Sequence, residues 1–345
     1  MMSKKRLKPI PGMGVPNLGS KRSLRGRNVM ITGGAGFIGC HLCDRVMMDR
    51  PSKLVIVDNF SLGKMRNIKS LRNRADVKVY RRDARSHKGV ERVLEDEQIS
   101  VMFNMAVIPL PMSLDRPMET VLTNVAITAN ICELLRRGKF DTLVHCSSSE
   151  AYGTALYVPM DEEHPEKPHT PYAASKIASD QVAISYLKTF GLDVAIARPF
   201  NTYGPRQIEL SYAGVIPLTI ERILRGEAPV VYGNGRQTRD YTYVADTVEG
   251  IVGVFACREA KGRIVNIASG KEVSIIALIE KIAKIMGYEG GIVHKPPRPG
   301  DVLRHKGDIS LAKKLFNYVP RTSFDEGLKK TIDWYSREFK SSRTS

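Results

Sequence analysis

Short apolar runs alternate with longer amphipathic segments along the first half of the chain, and this alternation predicts strands followed by helices. The runs of strand length are Val29–Ile31, Leu54–Val57, Val77–Tyr80, Ser100–Asn104 and Thr142–Cys146. The segments with helical spacing are Phe37–Met48, Lys88–Glu97, Met118–Arg137, Tyr172–Thr189 and, nearer the C-terminus, Ile275–Met286. Elements of these lengths in this order predict an α/β fold with a doubly wound parallel sheet and right-handed crossovers. A ligand is then expected outside the carboxyl ends of the strands.

A glycine-rich turn joins the first predicted strand to the first predicted helix. Gly33 allows a sharp turn, Gly36 lets the backbone approach a pyrophosphate, and Gly39 lets the helix pack closely on the strand. Three spaced glycines are also typical of an ordinary strand-to-helix turn. The flanking strand and helix favour a dinucleotide whose phosphates bind at the helix start, where Phe37 and Ile38 follow.

An acidic residue, Asp58, ends the second predicted strand. Its carboxylate would accept hydrogen bonds from a ribose diol and repel a 2′-phosphate, so it favours NAD over NADP. Asp83, at the end of the third strand, is expected to face the adenine amino group, unless it is a plain strand-end residue. The segment Met105–Pro111 is expected to cross over the cofactor. The remaining residues of the predicted NAD site are Asn59, Ala84, Ala106 and Asn124.

The composition is that of a globular protein. The chain has 345 residues, 42% of them hydrophobic, which is enough for one large α/β domain or two closely joined ones. We expect no membrane span, no secretory signal and a cytoplasmic location, because no apolar run is long enough and the five cysteines are scattered and odd in number. Cys40 and Cys43 fit two small apolar helix residues better than a redox or zinc pair, so no metal site is expected.

Positive charge is concentrated near the N-terminus. The net charge is +17, and the first 27 residues contain eight basic residues and no acidic one. We expect this segment to be a solvated, disordered tail, with weak contact to RNA or anionic lipid as the alternative. The chain outside the tails has a smaller excess of positive charge, which suits a diphosphate ligand. No recognition motif or aromatic-basic stripe indicates that the body binds nucleic acid.

Polar and ionisable residues follow the fifth strand and begin the next helix. Ser148, Ser149 and Glu150 lie at the strand end, where a substrate is expected. Tyr172 and Lys176 are four residues apart on a predicted helix and so share one face. Lys176 and a nicotinamide cation are expected to lower the pKa of Tyr172, which could then take a proton from a substrate hydroxyl. Tyr-x-x-x-Lys alone is also common in ordinary amphipathic helices.

Six motifs, taken together, extend over most of the chain. They are Thr32–Gly39, Ser147–Gly153, Tyr172–Lys176, Arg198–Gln207, Gly235–Asp246 and Arg298–Asp301. With them the chain resembles an extended short-chain dehydrogenase/reductase of the NAD-dependent nucleotide-sugar epimerase/dehydratase family, from about Arg27 to Trp334. The motifs are specific for the family and much less specific for its individual members.

The resemblance implies roles for residues in the second half of the chain. Asn201 and Arg239 match positions that bind the nucleotide diphosphate, and Arg298 and Asp301 match positions that contact phosphate and ribose. Arginine suits phosphate because its guanidinium presents a planar fork of donors; a surface salt bridge is the alternative for both arginines. The resemblance further places Pro199 beside the nicotinamide and Val215 in the segment that binds the base.

The resemblance also implies a reaction that begins with oxidation of the sugar 4-hydroxyl by NAD, with Tyr172 as the base. Epimerases usually have a small residue at the Glu150 position, whereas a carboxylate there suits removal of the carbon-5 proton in a 4,6-dehydratase. We therefore expect a nucleotide-sugar 4,6-dehydratase, with UDP as the favoured nucleotide. A 4-epimerase, a UDP-glucuronate decarboxylase and, in a different class, a non-catalytic NAD-sensing protein remain as alternatives.

The same family pattern gives a domain plan. We expect a disordered tail over residues 1–26, a mainly NAD-binding Rossmann domain over 27–198, a smaller α/β lobe for the nucleotide sugar over 199–335, and a second tail over 336–345. Family members are mostly homodimers through two long helices of each subunit. Here these would be Met118–Arg137 and Tyr172–Thr189.

Overall fold

The computed structural model describes residues 21–207, 214–298 and 300–343, and the side chains to residue 341. A parallel sheet of seven strands forms the centre of the larger domain, in the order β10-β6-β5-β4-β1-β2-β3. Its strands are β1 Asn28–Thr32, β2 Lys53–Asp58, β3 Val77–Arg81, β4 Val101–Asn104, β5 Thr142–Cys146, β6 Val194–Pro199 and β10 Ile264–Ile267. The strand order reverses between β1 and β4, which is where a doubly wound sheet opens a crevice for ligands.

Helices cover both faces of this sheet, so its strands are buried on both sides. The α-helices of both lobes, within the described residues, are α1 Phe37–Met48, α2 His87–Glu97, α3 Leu110–Asp115, α4 Pro117–Arg136, α5 Pro171–Phe190, α6 Val215–Leu224, α7 Val244–Ala256, α8 Ile275–Ile285, α9 Ser310–Phe316 and α10 Phe324–Arg343. One apolar core lies between the sheet and α1, α7 and α9, and a second lies between the sheet and α2, α4 and α5. In β1, Val29 and Ile31 point into the first core and Met30 into the second, as strand alternation requires. The predicted α/β doubly wound fold is confirmed.

A smaller lobe lies beyond the carboxyl edge of the large sheet. Its short strands are β7 Asn201–Tyr203, β8 Val230–Tyr232, β9 Thr238–Tyr243, β11 Glu272–Ser274 and β12 Val293–Lys295. They form a three-stranded sheet, β11-β9-β7, and a two-stranded ribbon, β12-β8. Helices α6, α8 and α10 pack their apolar faces around Tyr203 and Tyr241 to form a third core. The lobes interleave, because β10, α7 and α9 follow residue 199 in sequence and yet pack on the large sheet.

Both predicted tails need correction where the structure describes them. Leu24 is buried in the first core, and the Arg22 guanidinium lies 2.8 Å from Asp193, so residues 22–27 are folded against the larger domain. At the other end α10 runs on past residue 335, and Glu338 pairs with Arg66. A single apolar residue among basic neighbours has no period, so sequence reasoning could not detect its burial. Residues 1–20 and 344–345 lie outside the described residues.

The described helices also bear on the membrane prediction. None of them combines the length and the hydropathy that a transmembrane helix needs.

Candidate active site

A cavity of about 1060 Å³ lies between the carboxyl edge of the seven-stranded sheet and the smaller lobe. Its wall includes the glycine turn after β1, the ends of β2 to β6, the start of α5 and residues of the smaller lobe. This volume is at the upper end of the range for small-molecule sites, so it can hold a dinucleotide and a second ligand together. The motifs that the sequence analysis singled out converge on this one cavity.

The glycine turn fits a dinucleotide phosphate for steric reasons. Gly33 has φ +65°, and a Cβ there would lie 2.8 Å from the Ala106 nitrogen. A Cβ on Gly39 would lie 2.1 Å from the Gly33 carbonyl oxygen, so glycine is required where α1 packs on the turn. A Cβ on Gly36 would meet only that oxygen, at 3.1 Å, and otherwise face the cavity. Gly36 is also the N-cap and supplies no side-chain acceptor, which leaves the first N–H groups of α1 for an anion.

Asp58 ties the glycine turn to the end of β2. One carboxylate oxygen accepts from the Ala35 N–H at 2.9 Å, and the other accepts from the Phe60 N–H at 2.8 Å. Burial raises the pKa of Asp58, while these two hydrogen bonds act in the opposite direction. Asp58 and Asn59 both line the cavity, at the end where the adenosine ribose is expected.

Two predicted cofactor residues have a different environment from the one expected. Asp83 lines the cavity, but its carboxylate is engaged by the Arg85 guanidinium at 2.7 Å, and this hydrogen bond lowers the pKa of Asp83. Asn124 does not reach the cavity wall. Its side-chain oxygen accepts from the Ile108 N–H at 2.8 Å, and its amide donates to the Ile108 carbonyl at 3.1 Å and to Ser175. Asn124 therefore holds the loop that crosses the cavity, and the prediction that it contacts the cofactor is corrected.

Helix α5 presents Tyr172 and Lys176 to the cavity. The helix begins here because Thr170 caps it, accepting from the Ala173 N–H at 3.2 Å, and because Pro171 occupies its first position. Lys176 donates from Nζ to the Cys146 carbonyl oxygen at 2.5 Å. Both side chains line the cavity, as predicted.

The protein groups around Tyr172 do not by themselves lower its pKa, and the expected lowering by Lys176 together with a nicotinamide cation stays a prediction. Burial raises the pKa of Tyr172, and the Ser148 hydroxyl, within hydrogen-bonding reach, opposes that rise only in part. Burial also lowers the pKa of Lys176, whose ammonium is directed at a backbone carbonyl. Desolvation is the largest influence on the pKa of both groups, and sequence spacing carries no information about desolvation.

Glu150 lies in a short 3-10 helix, Ser149–Tyr152, directly after β5. Ser148 precedes this helix and accepts from the Glu150 N–H at 3.3 Å. Burial raises the pKa of Glu150, and nearby Arg239 offsets part of that rise. Ser148 and Glu150 line the cavity, whereas Ser149 is buried and does not, so the prediction that Ser149 contacts the substrate is corrected.

Pro199, which was predicted to lie beside the nicotinamide, lines the cavity. The predicted substrate residues of the second half also line it, namely Asn201, Val215, Arg239, Arg298 and Asp301. Arg239 and Asp301 form an ion pair. A salt bridge was the stated alternative for Arg239, but its partner is the other predicted substrate residue Asp301, and the pair lies in the cavity wall. Gln237 supports the pair by donating to the second Asp301 oxygen at 3.3 Å. The Arg298 guanidinium lies 3.9 Å from the centre of the Tyr232 ring, a cation–π contact that fixes its plane.

Comparison with known proteins decides the family. A family model described as GDP-mannose 4,6 dehydratase matches residues 30–331. The chain belongs to this family. Its members are extended short-chain dehydrogenases/reductases and include NAD-dependent nucleotide-sugar epimerases, dehydratases and decarboxylases, as the resemblance of the motifs implied.

Individual relatives divide among these activities. A putative UDP-glucose 4-epimerase of Methanocaldococcus jannaschii is 33% identical over 89% of this chain and 97% of its own. UDP-glucuronic acid decarboxylase 1 of Xenopus tropicalis is 33% identical over 90% of this chain and 73% of its own. Among solved structures, the dTDP-glucose 4,6-dehydratase DesIV of Streptomyces venezuelae, with NAD and TYD bound, has a TM-score of 0.86 at 28% identity, covering 91% of this chain and 98% of its own.

Sequence reasoning missed several residues of this dehydrogenase/reductase site. Tyr232 and Lys295 face each other across the β8–β12 ribbon and line the cavity, as does Arg222 on α6. Cys146 supplies the carbonyl that holds Lys176. Three-residue strands leave too little periodicity to detect, and a backbone carbonyl leaves no sequence signal at all.

Proposed function

We propose that this dehydrogenase/reductase is a nucleotide-sugar 4,6-dehydratase that binds NAD and a UDP-sugar in the cavity between its two lobes. The observation that carries the proposal is Glu150, a half-buried carboxylate in the cavity wall on the same strand end as Ser148 and close enough to Tyr172 to act on its ionisation. A 4-epimerase has no use for this second acid–base group, whereas removal of the carbon-5 proton requires one.

The residues of the cavity wall suggest that NAD binds at the large sheet and the nucleotide sugar at the smaller lobe. The glycine turn, Asp58 and Asn59 would hold NAD at the end of the large sheet, and Pro199 would lie against the nicotinamide. Arg239, Arg298 and Asn201 would hold the diphosphate at the smaller lobe, because arginine pairs with phosphate oxygens through two parallel hydrogen bonds. When bound, NAD accepts the hydride from carbon 4 and supplies it again at carbon 6.

Tyr172 would begin the reaction by taking the proton of the 4-hydroxyl, with Ser148 hydrogen-bonded at the same oxygen. Lys176 would favour the phenolate and bind the nicotinamide ribose. The resulting 4-ketone acidifies the carbon-5 proton, which Glu150 removes. Glu150 would then pass that proton to the oxygen on carbon 6, which leaves as water. After hydride return to carbon 6, Glu150 would take a proton from solvent and give it to carbon 5, and Tyr172 would release its proton to solvent. The raised pKa of Glu150 suits a group that acts first as a base and then as an acid.

Two other activities start from the same 4-ketone. The names of relatives support a 4-epimerase, which would return the hydride to the opposite face of carbon 4. The Ser148–Ser149–Glu150 triplet and the decarboxylase relatives support loss of carbon dioxide from a 4-keto uronate. We rank the epimerase below dehydration because it has no use for Glu150, and the decarboxylase because Glu150 would repel the carboxylate of a uronate substrate.

Incubation of the purified protein with a panel of nucleotide sugars tests the proposal. The panel is UDP-GlcNAc, UDP-glucose, dTDP-glucose, GDP-mannose and UDP-glucuronate, and the readout is product mass. We expect loss of one water from a UDP-hexose with no added cofactor. Unchanged mass with a new retention time would show an epimerase, and loss of carbon dioxide a decarboxylase. Bound NAD with no product from any sugar would favour a sensor protein.

Substitution of Glu150 separates the oxidation of the sugar from the later loss of water. Glu150→Gln should still reduce the bound cofactor on addition of substrate, seen by its absorbance, but should not release a dehydrated product. Glu163→Gln, which alters an exposed carboxylate on the following loop, is the matched control and should behave like the unchanged protein. Normal dehydration by Glu150→Gln would show that the role assigned to Glu150 is wrong.

A further inference from the structure

A buried row of polar side chains lies beneath the cavity, at the carboxyl ends of four neighbouring strands. The Thr32 hydroxyl at the end of β1 donates to the Asn104 side-chain oxygen on β4 at 2.8 Å. The Asn104 amide in turn lies 3.1 Å from Nδ1 of His145 on β5. None of these groups has a place in the chemistry described above, and each is buried. Buried polar groups of this kind cost stability unless they are satisfied, so the row calls for a functional explanation.

The row ends at Asp180 on α5. One Asp180 oxygen accepts from the Arg198 guanidinium at 2.8 Å and from the Ser147 hydroxyl. The other lies 3.4 Å from Nε2 of His145. Since the Asn104 amide donates to Nδ1, the proton of the neutral imidazole is on Nε2 and faces Asp180. Asp180 and Arg198 are each 0% exposed, so water does not screen their charges from neighbouring groups.

Asp180 is connected to the catalytic pair in two ways. Tyr172, Lys176 and Asp180 are spaced by four residues along α5 and therefore share one face of the helix. The Cys146 carbonyl that accepts from Lys176 immediately precedes Ser147, whose hydroxyl donates to Asp180. Asp180 thus fixes the end of β5, whose Cys146 carbonyl binds the Lys176 ammonium. It also places a negative charge one helical turn from Lys176.

We propose that Asp180 is a positioning residue for the oxidation step, which fixes the end of β5 through Ser147 and provides the buried negative charge that keeps Lys176 cationic beside Tyr172. Arg198 balances the charge of Asp180. Its guanidinium also donates to the carboxylate of Glu166 at 2.6 Å, and Glu166 lies in the loop that leads into α5. The inference rests on the proposed roles of Tyr172 and Lys176, but not on dehydration, because epimerases and decarboxylases need the same first step.

The surrounding charges give the direction of the effect. Burial opposes ionisation of Asp180, yet nearby His145, with Nε2 at 3.4 Å, and the charge of Arg198 hold its pKa at about 2, so it is an anion at neutral pH. This anion raises the pKa of both Lys176 and Tyr172, whereas Arg198 lowers that of Lys176. The titratable and charged groups that face the pair from all elements are Asp180, His145, Cys146, Arg198 and Glu150.

Asp180→Asn keeps the shape and removes the charge. We expect the pH profile of cofactor reduction by substrate to move as a whole to lower pH, by about one unit, because both Tyr172 and Lys176 lose their protons more easily. Arg198→Met should move the alkaline limb of this pH profile to higher pH, because Arg198 lowers the pKa of Lys176. Ser179→Ala, which removes a buried hydroxyl one residue before Asp180 without changing charge, should not move it.

A second measurement needs no turnover. The ionisation of Tyr172 in the NAD-bound protein is followed by the ultraviolet absorbance of its tyrosinate, with Tyr172→Phe as the blank. Asp180→Asn should again shift this titration to lower pH. If folded Asp180→Asn or Arg198→Met leaves both the rate profile and the tyrosinate titration unchanged, the inference is wrong. Altered pH dependence in a protein that epimerises rather than dehydrates would overturn the proposed function and leave this inference standing.

Discussion

Replacing Gly39 or Gly36 by alanine should have two different effects, although the glycines lie three residues apart. The Cβ of Gly39→Ala would lie 2.1 Å from the Gly33 carbonyl oxygen and 2.9 Å from two further backbone atoms, where ordinary contacts are 3.4–4 Å. Helix α1 and the turn must therefore separate by more than about 1 Å. No flexible side chain can yield, so we expect a cost of about 3 kcal/mol, the upper part of the range for overpacking.

This cost sets the size of the thermal shift. A chain of 345 residues unfolds with an entropy of about 0.7 kcal/mol per kelvin, so Gly39→Ala should lower Tm by about 4 °C. In Gly36→Ala the Cβ meets only one atom, at 3.1 Å, and otherwise points into the cavity. The Tm without ligand should then change little, while NAD affinity should fall at least tenfold, or about 1.4 kcal/mol, because the methyl group occupies phosphate space.

Scanning calorimetry of cofactor-stripped protein and titration calorimetry with NAD measure the two effects. Gly291→Ala is the matched control, because no atom lies within 4 Å of its Cβ and its φ is not positive. Unchanged Tm in Gly39→Ala would refute the steric argument for the helix contact. Unchanged NAD affinity in Gly36→Ala would refute the placement of the phosphates at this turn.

Three further predictions follow from burial and exposure. Leu24→Ala should lower the free energy of unfolding by about 2–5 kcal/mol in a denaturant titration, since the side chain is 1% exposed; equal stability would mean that this segment does not pack. Because burial raises the pKa of Glu150, the acid limb of dehydration should lie at higher pH than an ordinary glutamate gives, and a limb at the ordinary value would contradict its role as base. We propose a homodimer through α4 and α5, so Leu122→Asp, at a position 62% exposed on α4, should give monomers in light scattering, and persistence of the dimer would place the interface elsewhere.

Local sequence patterns were most reliable where short-range periodicity sets the structure. The predicted helix Phe37–Met48 and strand Thr142–Cys146 have the bounds that the structure shows. Helix α2 begins one residue before its predicted start, and α4 begins and ends one residue before its predicted bounds. By contrast α3 was not predicted: its first two residues fall in the Met105–Pro111 segment that was expected to cross the cofactor, and the rest of the helix was assigned no structure.

The candidate site was predicted less evenly. The glycines, Asp58, Glu150 and Tyr172 were found because parallel strands bring their carboxyl ends to one edge, so position along a strand implies position in the cavity. Asn124 was placed in the site from its helix and Ser149 from its motif, yet both side chains are buried in the protein. Which way a polar side chain faces depends on what packs against it, and a motif does not record that.

By itself the sequence determined the α/β class, the position of the dinucleotide turn and the residue types gathered at the strand ends, because these follow from local periodicity and from glycine geometry. Only the tertiary structure decided the charge environment: the Asp180–Arg198 pair beneath Lys176, the Arg239–Asp301 pair beside Glu150 and the raised pKa of Tyr172. The physical reason is desolvation, which depends on every element packed around a group and therefore on residues far away in the sequence.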